Sequence, residues 1–360
     1  MSKAKAASKS TITAEPSLAS AGAVELPVAL WVPALRFEVA LPDLPSYVVG
    51  REDADVILTH ESVSRRHWRV QRMPEGLRVT DLGSKNKTWI DEPGTEGSVQ
   101  VDAATLIPGR SMKVGQLRVW PLTKAQRDAR RQLAHALGHG PDADKLVMEL
   151  LADAALARSF VVRGAPTLEP LAVGNALIAA SPRAMAKRRD VTVKGAPTSA
   201  EEIRDLAAGM KRGVVTIELE VLARAGERAC AAWQAVLTNP QWDLMVIWHG
   251  EQRVLDWERM PRAIQIPTVA ARVRAGELGL MVGYLMRTSG AGWVLDDLGR
   301  VELYASGLAR HDWPENHPEL RQMVAYGRLR IEGQSHAAAA RTLGIDRNRL
   351  ARMVERWQGG

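Results

Sequence analysis

The sequence predicts a multidomain protein with an N-terminal β-sandwich, a central α/β domain built on a parallel sheet, and a C-terminal all-α unit. Short apolar segments separated by Gly, Pro, Asn and Asp fill residues 27–122, which is typical of a sandwich or barrel. Strand-like and helical segments alternate from residue 160 to about 312, and this alternation favours a parallel sheet covered by helices. Helical periodicity continues through 317–360. The predicted division is a disordered tail at 1–26, the β-sandwich at 27–123, a helical linker at 124–158, the α/β domain at 159–316 and the helical unit at 317–360.

The composition is that of a globular protein, with 46% hydrophobic and 25% charged residues among 360. The single cysteine, Cys230, excludes a disulfide within the chain and suits a reducing compartment such as the cytoplasm. No apolar run approaches the roughly 20 residues that a membrane-spanning helix needs, so no membrane association is expected. The formal net charge of +7 is compatible with an acidic partner such as nucleic acid.

Three segments of the predicted β-sandwich carry cationic and hydroxyl side chains beside strands: VVGRED at 48–53, SVSRRH at 62–67 and DLGSKNKTWI at 81–90. Arginine presents a planar fork of donors that suits phosphate, and charge-assisted hydrogen bonds are the stronger ones. The order and spacing of the segments resemble those of a forkhead-associated (FHA) domain, over roughly residues 35–120. The resemblance implies a β-sandwich that recognises phosphothreonine peptides, whose phosphate carries nearly two negative charges and three acceptor oxygens.

The resemblance also assigns roles to the polar residues of these segments. Two arginines grip the phosphate, a serine adds a hydroxyl donor, two residues of a second loop complete the socket, and an asparagine holds the peptide main chain. In that order, the predicted residues are Arg51 and Arg65, Ser64, Ser84 and Lys85, and Asn86.

Other residues of the same segments are expected to have structural roles. His67 is expected to brace the loop, and Trp68 and Trp89 are expected in the core. One position departs from the family pattern, because Lys87 stands where Asn-Gly-Thr has its glycine, and glycine adopts a positive φ more readily. The loop is then either distorted or supplied with extra charge beside the peptide, so the departure bears on peptide selectivity. A surviving fold with an inactive socket is the alternative.

The predicted α/β domain carries a second resemblance. DWPENHPEL at 312–320 is similar to the WPGN-V-REL signature near the end of the AAA+ domain of bacterial enhancer-binding proteins, which activate sigma-54 promoters. Upstream, FVVRGAPTLEPLAVGNAL at 160–177 takes the place of the strand, phosphate loop and helix. GVVTIELEVLARA at 213–225 takes the place of the second strand with its acidic residues.

The catalytic residues that this resemblance calls for are absent. A phosphate loop needs backbone donors and a lysine, but Pro170 stands at the lysine position and Glu169 would repel phosphate. Leu219 replaces a carboxylate of the second strand, and Pro318 replaces the sensor arginine. The sigma-contacting loop Gly-Ala-Phe-Thr-Gly-Ala is also missing. We therefore expect no ATP hydrolysis, no cofactor and no enzyme activity, with weak nucleotide binding or an unrelated α/β domain as alternatives.

The C-terminal segment SHAAAARTLGIDRNRLARMVERWQ, at 335–358, resembles the Fis-type helix-turn-helix of the same proteins. Gly344 permits the left-handed turn between two helices, and Asp346 can cap the second. Leu350, Val354 and Trp357 fall on one face of that helix. Arginine suits guanine and phosphate, and asparagine suits adenine, when the helix enters the major groove. The predicted DNA contacts are Arg347, Asn348 and Arg349 for bases and Arg352 and Arg356 for phosphates.

Fis-type modules pair through their upstream helices, so a homodimer contact is expected at Met323, Val324 and Leu329. The alternative for this end of the chain is an oligomerisation unit whose arginines are merely solvated.

Together, these features predict a transcriptional regulator that couples phosphothreonine-peptide recognition to DNA binding without ATP hydrolysis. The expected partners are a phosphothreonine-containing protein, such as a Ser/Thr kinase or its substrate, double-stranded DNA, and further copies of the chain in a homodimer or higher oligomer. Two other interpretations stay open: a phosphopeptide-dependent scaffold with no DNA role, and an active sigma-54-dependent ATPase.

Overall fold

The computed structural model describes residues 25–91, 97–107, 109–239, 241–251, 261–288 and 313–357. Residues 1–24 of the predicted tail, and Asp312 of the DWPENHPEL segment, lie outside the described residues. The described parts form a β-sandwich, two packed helices, an α/β unit with a parallel sheet, and a C-terminal group of helices.

The β-sandwich is made of two sheets. Its strands are β1 (Ala29–Val32), β2 (Phe37–Ala40), β3 (Ser46–Gly50), β4 (Val56–Ile57), β5 (Trp68–Met73), β6 (Gly76–Asp81), β7 (Thr88–Asp91), β8 (Ser98–Val101), β9 (Ala103–Leu106), β10 (Ser111–Val114) and β11 (Leu117–Leu122). One sheet has the order β2-β1-β11-β10-β7-β8 and the other β4-β3-β5-β6-β9. The short pair of β3 with β4 is parallel, and the other pairs of the sandwich are antiparallel.

Alternating side chains build the core of the sandwich. Buried and exposed positions alternate along β5 from Trp68, which is fully buried as predicted. The same prediction for Trp89 is wrong. Thr88 and Ile90 take the inward positions of β7, so Trp89 is left half-buried on the other face.

Two helices follow the sandwich, α1 (Lys124–Leu137) and α2 (Pro141–Ala155). Thr123 begins α1 with a capping box, in which its hydroxyl accepts a hydrogen bond from the Gln126 amide. The buried faces of both helices share one core with Leu122 of the sandwich and Phe160 of the α/β unit. Segment 124–158, predicted as a helical linker, is therefore a packed layer that contacts both neighbouring units.

Polar contacts also hold the sandwich to α1. Glu38 of β2 accepts hydrogen bonds from Arg127, Arg130 and Arg131. The guanidinium carbon of Arg130 lies 3.8 Å from the centroid of the Trp31 ring, which is a cation–π geometry. The sandwich is thus docked on the helical layer by a charge cluster beside an apolar contact.

The α/β unit comprises β12 (Phe160–Arg163), α3 (Pro170–Ala179), β13 (Arg188–Val191), α4 (Ala200–Gly209), β14 (Val214–Glu218), α5 (Leu219–Thr238), β15 (Met245–Gly250) and β16 (Arg262–Gln265). The strands pair in parallel in the order β13-β14-β15-β12-β16. Phe160 and Ile247 lie in the core that includes α1, α2 and α3, while Val161 and Trp248 lie in the core that includes α4 and α5. Both faces of the sheet are covered, as is usual for parallel sheets.

The C-terminal helices are α6 (Val269–Arg274), α7 (Leu278–Thr288), α8 (Asn316–Ile331), α9 (His336–Leu343) and α10 (Arg347–Trp357). They share a core of their own. Met323, Val324 and Leu329 lie inside it with exposures of 5%, 8% and 7%. The prediction that these three residues form a homodimer contact is wrong, because they already pack against the chain's own helices. Within the described ranges, no helix combines the length and the apolar character needed to cross a membrane.

Candidate functional site

Two loops of the sandwich meet at the end of β3. The amides of Arg51 and Glu52 donate to the carbonyls of Ser64 and Arg65, at 2.9 and 3.1 Å. A Cβ atom on Gly50 would lie only 1.9 Å from the Arg65 carbonyl oxygen. Only glycine permits this approach of the two backbones, so Gly50 sets the position of the SVSRRH loop.

A third loop, between β6 and β7, closes on the same place. The Lys85 amide donates to the Ser64 hydroxyl at 3.1 Å, and the Asn86 side-chain amide donates to the Ser62 carbonyl at 2.8 Å. The structure therefore brings together Arg51, Ser64, Lys85 and Asn86, although up to 35 positions separate them in the sequence.

Asp81 anchors the third loop from below. Its carboxylate accepts hydrogen bonds from the Gly83 and Ser84 amides and from the hydroxyls of Ser84 and Thr88. Thr88 in turn accepts from the Trp68 indole at 2.7 Å. Burial favours the neutral acid, but the hydrogen bonds from Thr88 and Ser84 outweigh it and lower the pKa of Asp81. Asp81 and Thr88 hold this loop in place, and neither is among the residues that the sequence predicts for the site.

Ser84 is the predicted site residue that the structure places away from the surface. It is 3% exposed, and its hydroxyl donates to Asp81 at 2.7 Å. Its place is therefore beneath the loop, where it fixes the backbone of Lys85 and Asn86.

His67 braces the SVSRRH loop from within the sandwich. Its Nδ1 accepts a hydrogen bond from the Ser64 amide at 3.0 Å, and its Nε2 lies 3.8 Å from the Asp81 carboxylate. Burial lowers the pKa of His67 to about 4, against the opposing effect of Asp81. The imidazole is therefore neutral near pH 7, and a neutral Nδ1 is able to accept the Ser64 hydrogen bond.

Five cationic residues lie on these three loops. We call the set the cationic rim, and it consists of Arg51, Arg65, Arg66, Lys85 and Lys87. Arg51 is half-buried and pairs with the exposed Glu52 at 3.2 Å, while the other members of the rim are exposed. Lys87 has a backbone φ of 57°, in the left-handed region that favours glycine. Arg66 and Lys87 belong to the rim although they were not among the predicted binding residues.

In the α/β unit, the loop between β12 and α3 is closed by the chain itself. The Glu169 carboxylate accepts two hydrogen bonds from the Arg321 guanidinium, at 2.7 and 2.5 Å. The Thr167 hydroxyl accepts one from the Asn316 side chain at 3.0 Å. We call these four residues the clasp. Arg321 holds the pKa of Glu169 below its usual range, mainly through these hydrogen bonds.

Polar residues at the carboxyl ends of β14 and β15 are also engaged or buried. Glu218 accepts a hydrogen bond from the Val193 amide at 3.2 Å. Burial lowers the pKa of the neighbouring His249, against the opposing charge of Glu218. Searched over the described ranges alone, the chain shows no group of three or more metal-binding side chains.

The end of the chain has two helices joined by a tight turn. Gly344 has a φ of 64°, and Asp346 accepts hydrogen bonds from the Asn348 and Arg349 amides at 3.0 Å each. These contacts end α9 and begin α10, as the sequence predicts. Leu350, Met353 and Trp357 are the buried residues of α10. Val354, predicted on this face, is only partly buried, because the face is centred one position earlier.

The predicted DNA contacts all lie on the exposed surface of α10, and they are Arg347, Asn348, Arg349, Arg352 and Arg356. Two of these arginines already have acidic neighbours within the chain. Arg349 bonds Glu315 at 2.9 Å, and Arg356 lies 3.7 Å from Glu319. These two contacts join α10 to the start of α8, where the clasp residues Asn316 and Arg321 also lie.

Comparison with known proteins covers mainly the sandwich. Residues 47–106 match the model of the FHA domain family. The glycogen accumulation regulator GarA of Mycolicibacterium smegmatis is 34% identical over 90 residues, which cover 24% of this chain and 52% of GarA. The FHA domain-containing protein PS1 of Arabidopsis thaliana is 38% identical over 84 residues, which cover 22% of this chain and 6% of PS1. The match thus spans about half or less of the length of these relatives.

Solved structures show similarity over different shares of the chain. EmbR of Mycobacterium tuberculosis, in complex with a low-affinity phosphopeptide, is 20% identical with a TM-score of 0.22 and covers 26% of this chain and 23% of EmbR. NtrX of Brucella abortus, in complex with ATP, is 16% identical with a TM-score of 0.36 and covers 64% of this chain and 71% of NtrX. The family match is specific to the sandwich: this chain contains an FHA domain, followed by an α/β unit and a helical C-terminal region.

Proposed function

We propose that this chain is a transcriptional regulator in which the FHA domain binds a phosphothreonine-containing protein and the C-terminal helices bind double-stranded DNA, without ATP hydrolysis. The observation that carries the proposal is that hydrogen bonds join the three loops on which the cationic rim lies. The three loops and all members of the rim lie within residues 47–106, the part of the chain that matches the FHA family.

The hydrogen-bonding groups of the clamped loops support recognition of a phosphopeptide. The Ser64 hydroxyl accepts from the Lys85 amide, so its own hydrogen is available to donate to a phosphate oxygen. The Asn86 side chain uses one N–H on the Ser62 carbonyl, which leaves its other N–H and its oxygen for a peptide main chain. Arg51 and Arg65 add charge-assisted donors for the phosphate dianion.

Titration of the full-length chain with a labelled phosphothreonine peptide tests this part. Arg65→Ala is expected to weaken binding by about ten- to a hundredfold, because a hydrogen bond to a charged group contributes about 1.5–3 kcal/mol. Arg69→Ala, which removes an exposed arginine on the neighbouring strand β5, is the matched control and is expected to change little. Equal affinity of Arg65→Ala and the native chain would refute the assignment.

The exposed arginines of α10 support the DNA part of the proposal. Its first turn presents Arg347, Asn348 and Arg349 to solvent, while the opposite face is buried in the helical core. Selection of DNA fragments by the full-length chain is expected to enrich one motif, and Arg347→Ala/Arg349→Ala is expected to lose it. A binding constant that falls steeply with salt would reflect neutralised phosphates. Absence of enrichment, together with intact phosphopeptide binding, would favour a scaffold that has no DNA role.

The clasp supports the absence of nucleotide chemistry. At the place where the sequence resemblance expects a phosphate loop, Glu169 presents a carboxylate that is already bound by Arg321. Pro170 also lacks the backbone N–H that a phosphate would need. Phosphate release from ATP by the full-length chain is expected to stay at background, with or without DNA. DNA-stimulated turnover would instead make the chain an active ATPase of the sigma-54-activator type.

The proposed partners are a phosphorylated protein, such as a Ser/Thr kinase or its substrate, double-stranded DNA, and further copies of the chain in a cytoplasmic homodimer or higher oligomer. Because Met323, Val324 and Leu329 are buried, any such pairing uses other surfaces. Light scattering of the purified chain, with and without duplex DNA, measures the number of copies.

A further inference from the structure

We infer that Lys87 selects phosphopeptides that carry a second negative charge, from a nearby Asp or Glu side chain, beside the phosphothreonine. The inference rests on the proposed phosphothreonine recognition and names the class of peptide that the same site takes. Two observations carry it: the backbone conformation of Lys87, and the excess charge of the cationic rim.

The backbone conformation of Lys87 is held by its neighbours. Its φ of 57° lies in a region that residues with a Cβ atom rarely occupy. Asn86, immediately before it, is fixed to the Ser62 carbonyl, and Thr88, immediately after it, is buried and bonded to Asp81 and Trp68. A glycine would satisfy the same turn without strain. Strained conformations persist mainly where the surroundings impose them, and they cluster at sites of binding.

The side chain of Lys87 is available to a ligand. It is exposed, and among the ion pairs between described residues no carboxylate contacts its ammonium. It directly follows Asn86, the residue proposed to hold the peptide main chain. A peptide bound there brings residues near the phosphothreonine within reach of a flexible lysine side chain.

The charge of the rim exceeds what one phosphate neutralises. A phosphothreonine contributes about two negative charges. The rim consists of Arg51, Arg65, Arg66, Lys85 and Lys87. Carboxylates also lie on or beside these loops, at Glu52, Asp53, Asp55, Glu61 and Asp81, but within the described residues only Glu52, beside Arg51, forms an ion pair with a member of the rim. An acidic side chain in the peptide supplies a counter-charge for the unpaired members of the rim. Lys87 directly follows Asn86, and the turn fixes its backbone conformation.

Fluorescence anisotropy with the full-length chain tests the inference on three matched peptides. Two carry phosphothreonine flanked by Glu or by Gln, and the third has the Glu flanks with unmodified threonine. The native chain is expected to bind the Glu-flanked phosphopeptide at least about threefold more tightly than the Gln-flanked one, the size of effect typical of an exposed ion pair. The unmodified peptide is expected to bind far more weakly.

The variant Lys87→Gln removes the charge but keeps a long side chain. Its loss of affinity is expected to be about threefold greater for the Glu-flanked phosphopeptide than for the Gln-flanked one, so that the preference disappears. Lys87→Arg is expected to retain the preference. Lys211→Gln, which removes an exposed lysine of the α/β unit, is the matched control and is expected to leave both affinities unchanged.

The outcomes separate the inference from the function on which it rests. Equal affinity of the native chain for the two phosphopeptides, or an unchanged preference in Lys87→Gln, overturns the role of Lys87 and leaves phosphothreonine recognition intact. Failure of both phosphopeptides to bind overturns the proposed function as well.

Discussion

Two residues define the candidate phosphate site through their backbones. Gly50 lets the SVSRRH loop approach to a distance that no Cβ atom permits. Lys87 adopts a left-handed backbone conformation. Glycine adopts this conformation readily, Asn and Asp do so occasionally, and other residues do so rarely. Gly50 is therefore the residue type that its position requires, whereas Lys87 lowers the stability of the folded chain relative to a glycine at the same position.

Replacement of Lys87 by glycine is expected to stabilise the chain. The left-handed conformation costs a residue with a Cβ atom about 1–2 kcal/mol, and the added freedom of glycine in the unfolded chain returns part of this, so a net gain of about 0.5–1 kcal/mol is expected. Lys113→Gly in β10, where the backbone is extended, is the control and is expected to destabilise. Urea denaturation followed by circular dichroism measures both, and a destabilised Lys87→Gly would contradict the strain.

The sequence resemblance names most of the residues that the structure brings together on these loops, but it does not predict the contacts of each side chain. The resemblance to the FHA pattern predicts that the loops bearing Arg51, Ser64 and Asn86 meet. The inward turn of Ser84 was not predictable, because it depends on the buried Asp81 carboxylate, which also needs donors. A motif predicts which residue types lie on a binding loop. Whether a given polar side chain is exposed also depends on the buried polar groups that need it as a hydrogen-bond partner.

At the scale of elements, α8 joins parts of the chain that are distant in sequence. Its first turns contact the loop before α3 through Asn316 and Arg321, and they contact α10 through Glu319. The clasp could not be predicted from the sequence, because Glu169 and Arg321 are 152 positions apart and no known motif pairs them. Comparison of this segment with nucleotide-binding motifs shows that the catalytic lysine is missing, but it does not show that Glu169 pairs with Arg321.

The ion pair of the clasp is expected to stabilise the contact between α3 and α8. Glu169→Arg and Arg321→Glu should each lower the thermal midpoint, and the double variant should recover part of the loss, with a coupling energy of up to about 1 kcal/mol for this partly exposed pair. Reversal of Glu220, which pairs with Arg224 within α5, is the control and should cost less. Additive losses in the double variant would show that the two side chains do not interact in solution.

Histidines between α1 and α8 predict acid sensitivity. His135 and His317 stack with their ring centroids 5.5 Å apart, and burial, aided by the positive charge of Arg272, lowers their pKa values to about 3 and about 4. The unfolded chain takes up these protons near pH 6.5, and the folded chain does so only near pH 3–4. Stability is therefore fully present above pH 6.5 and falls as the pH is lowered, by up to about 1.4 kcal/mol per pH unit for each histidine.

The urea midpoint of the native chain should therefore drop between pH 7 and pH 5. The drop should be shallower in His135→Gln, whatever the stability of that variant at pH 7. Parallel pH dependences of the two chains would show that His135 does not titrate differently on unfolding.

At the scale of the whole molecule, the sequence predicted a β-sandwich, an α/β unit and a helical end, but not how they pack. Trp31 and Leu122 of the sandwich share a core with α1, α2 and Phe160. The apolar periodicity of α1 and α2 indicates that they bury one face, but it does not identify the partner. A segment predicted as a linker is therefore a contact layer, through which the FHA domain is fixed beside the α/β unit.

The claim that one chain holds both a phosphothreonine peptide and DNA is tested most directly by a bridging measurement. Duplex DNA carrying the selected motif is immobilised, and retention of a labelled phosphothreonine peptide is measured with the full-length chain. Retention is expected with the native chain, and it should be lost with Arg65→Ala, with Arg347→Ala/Arg349→Ala and with the unphosphorylated peptide. A chain that binds the phosphopeptide in solution but never retains it on DNA would contradict the coupling of the two activities.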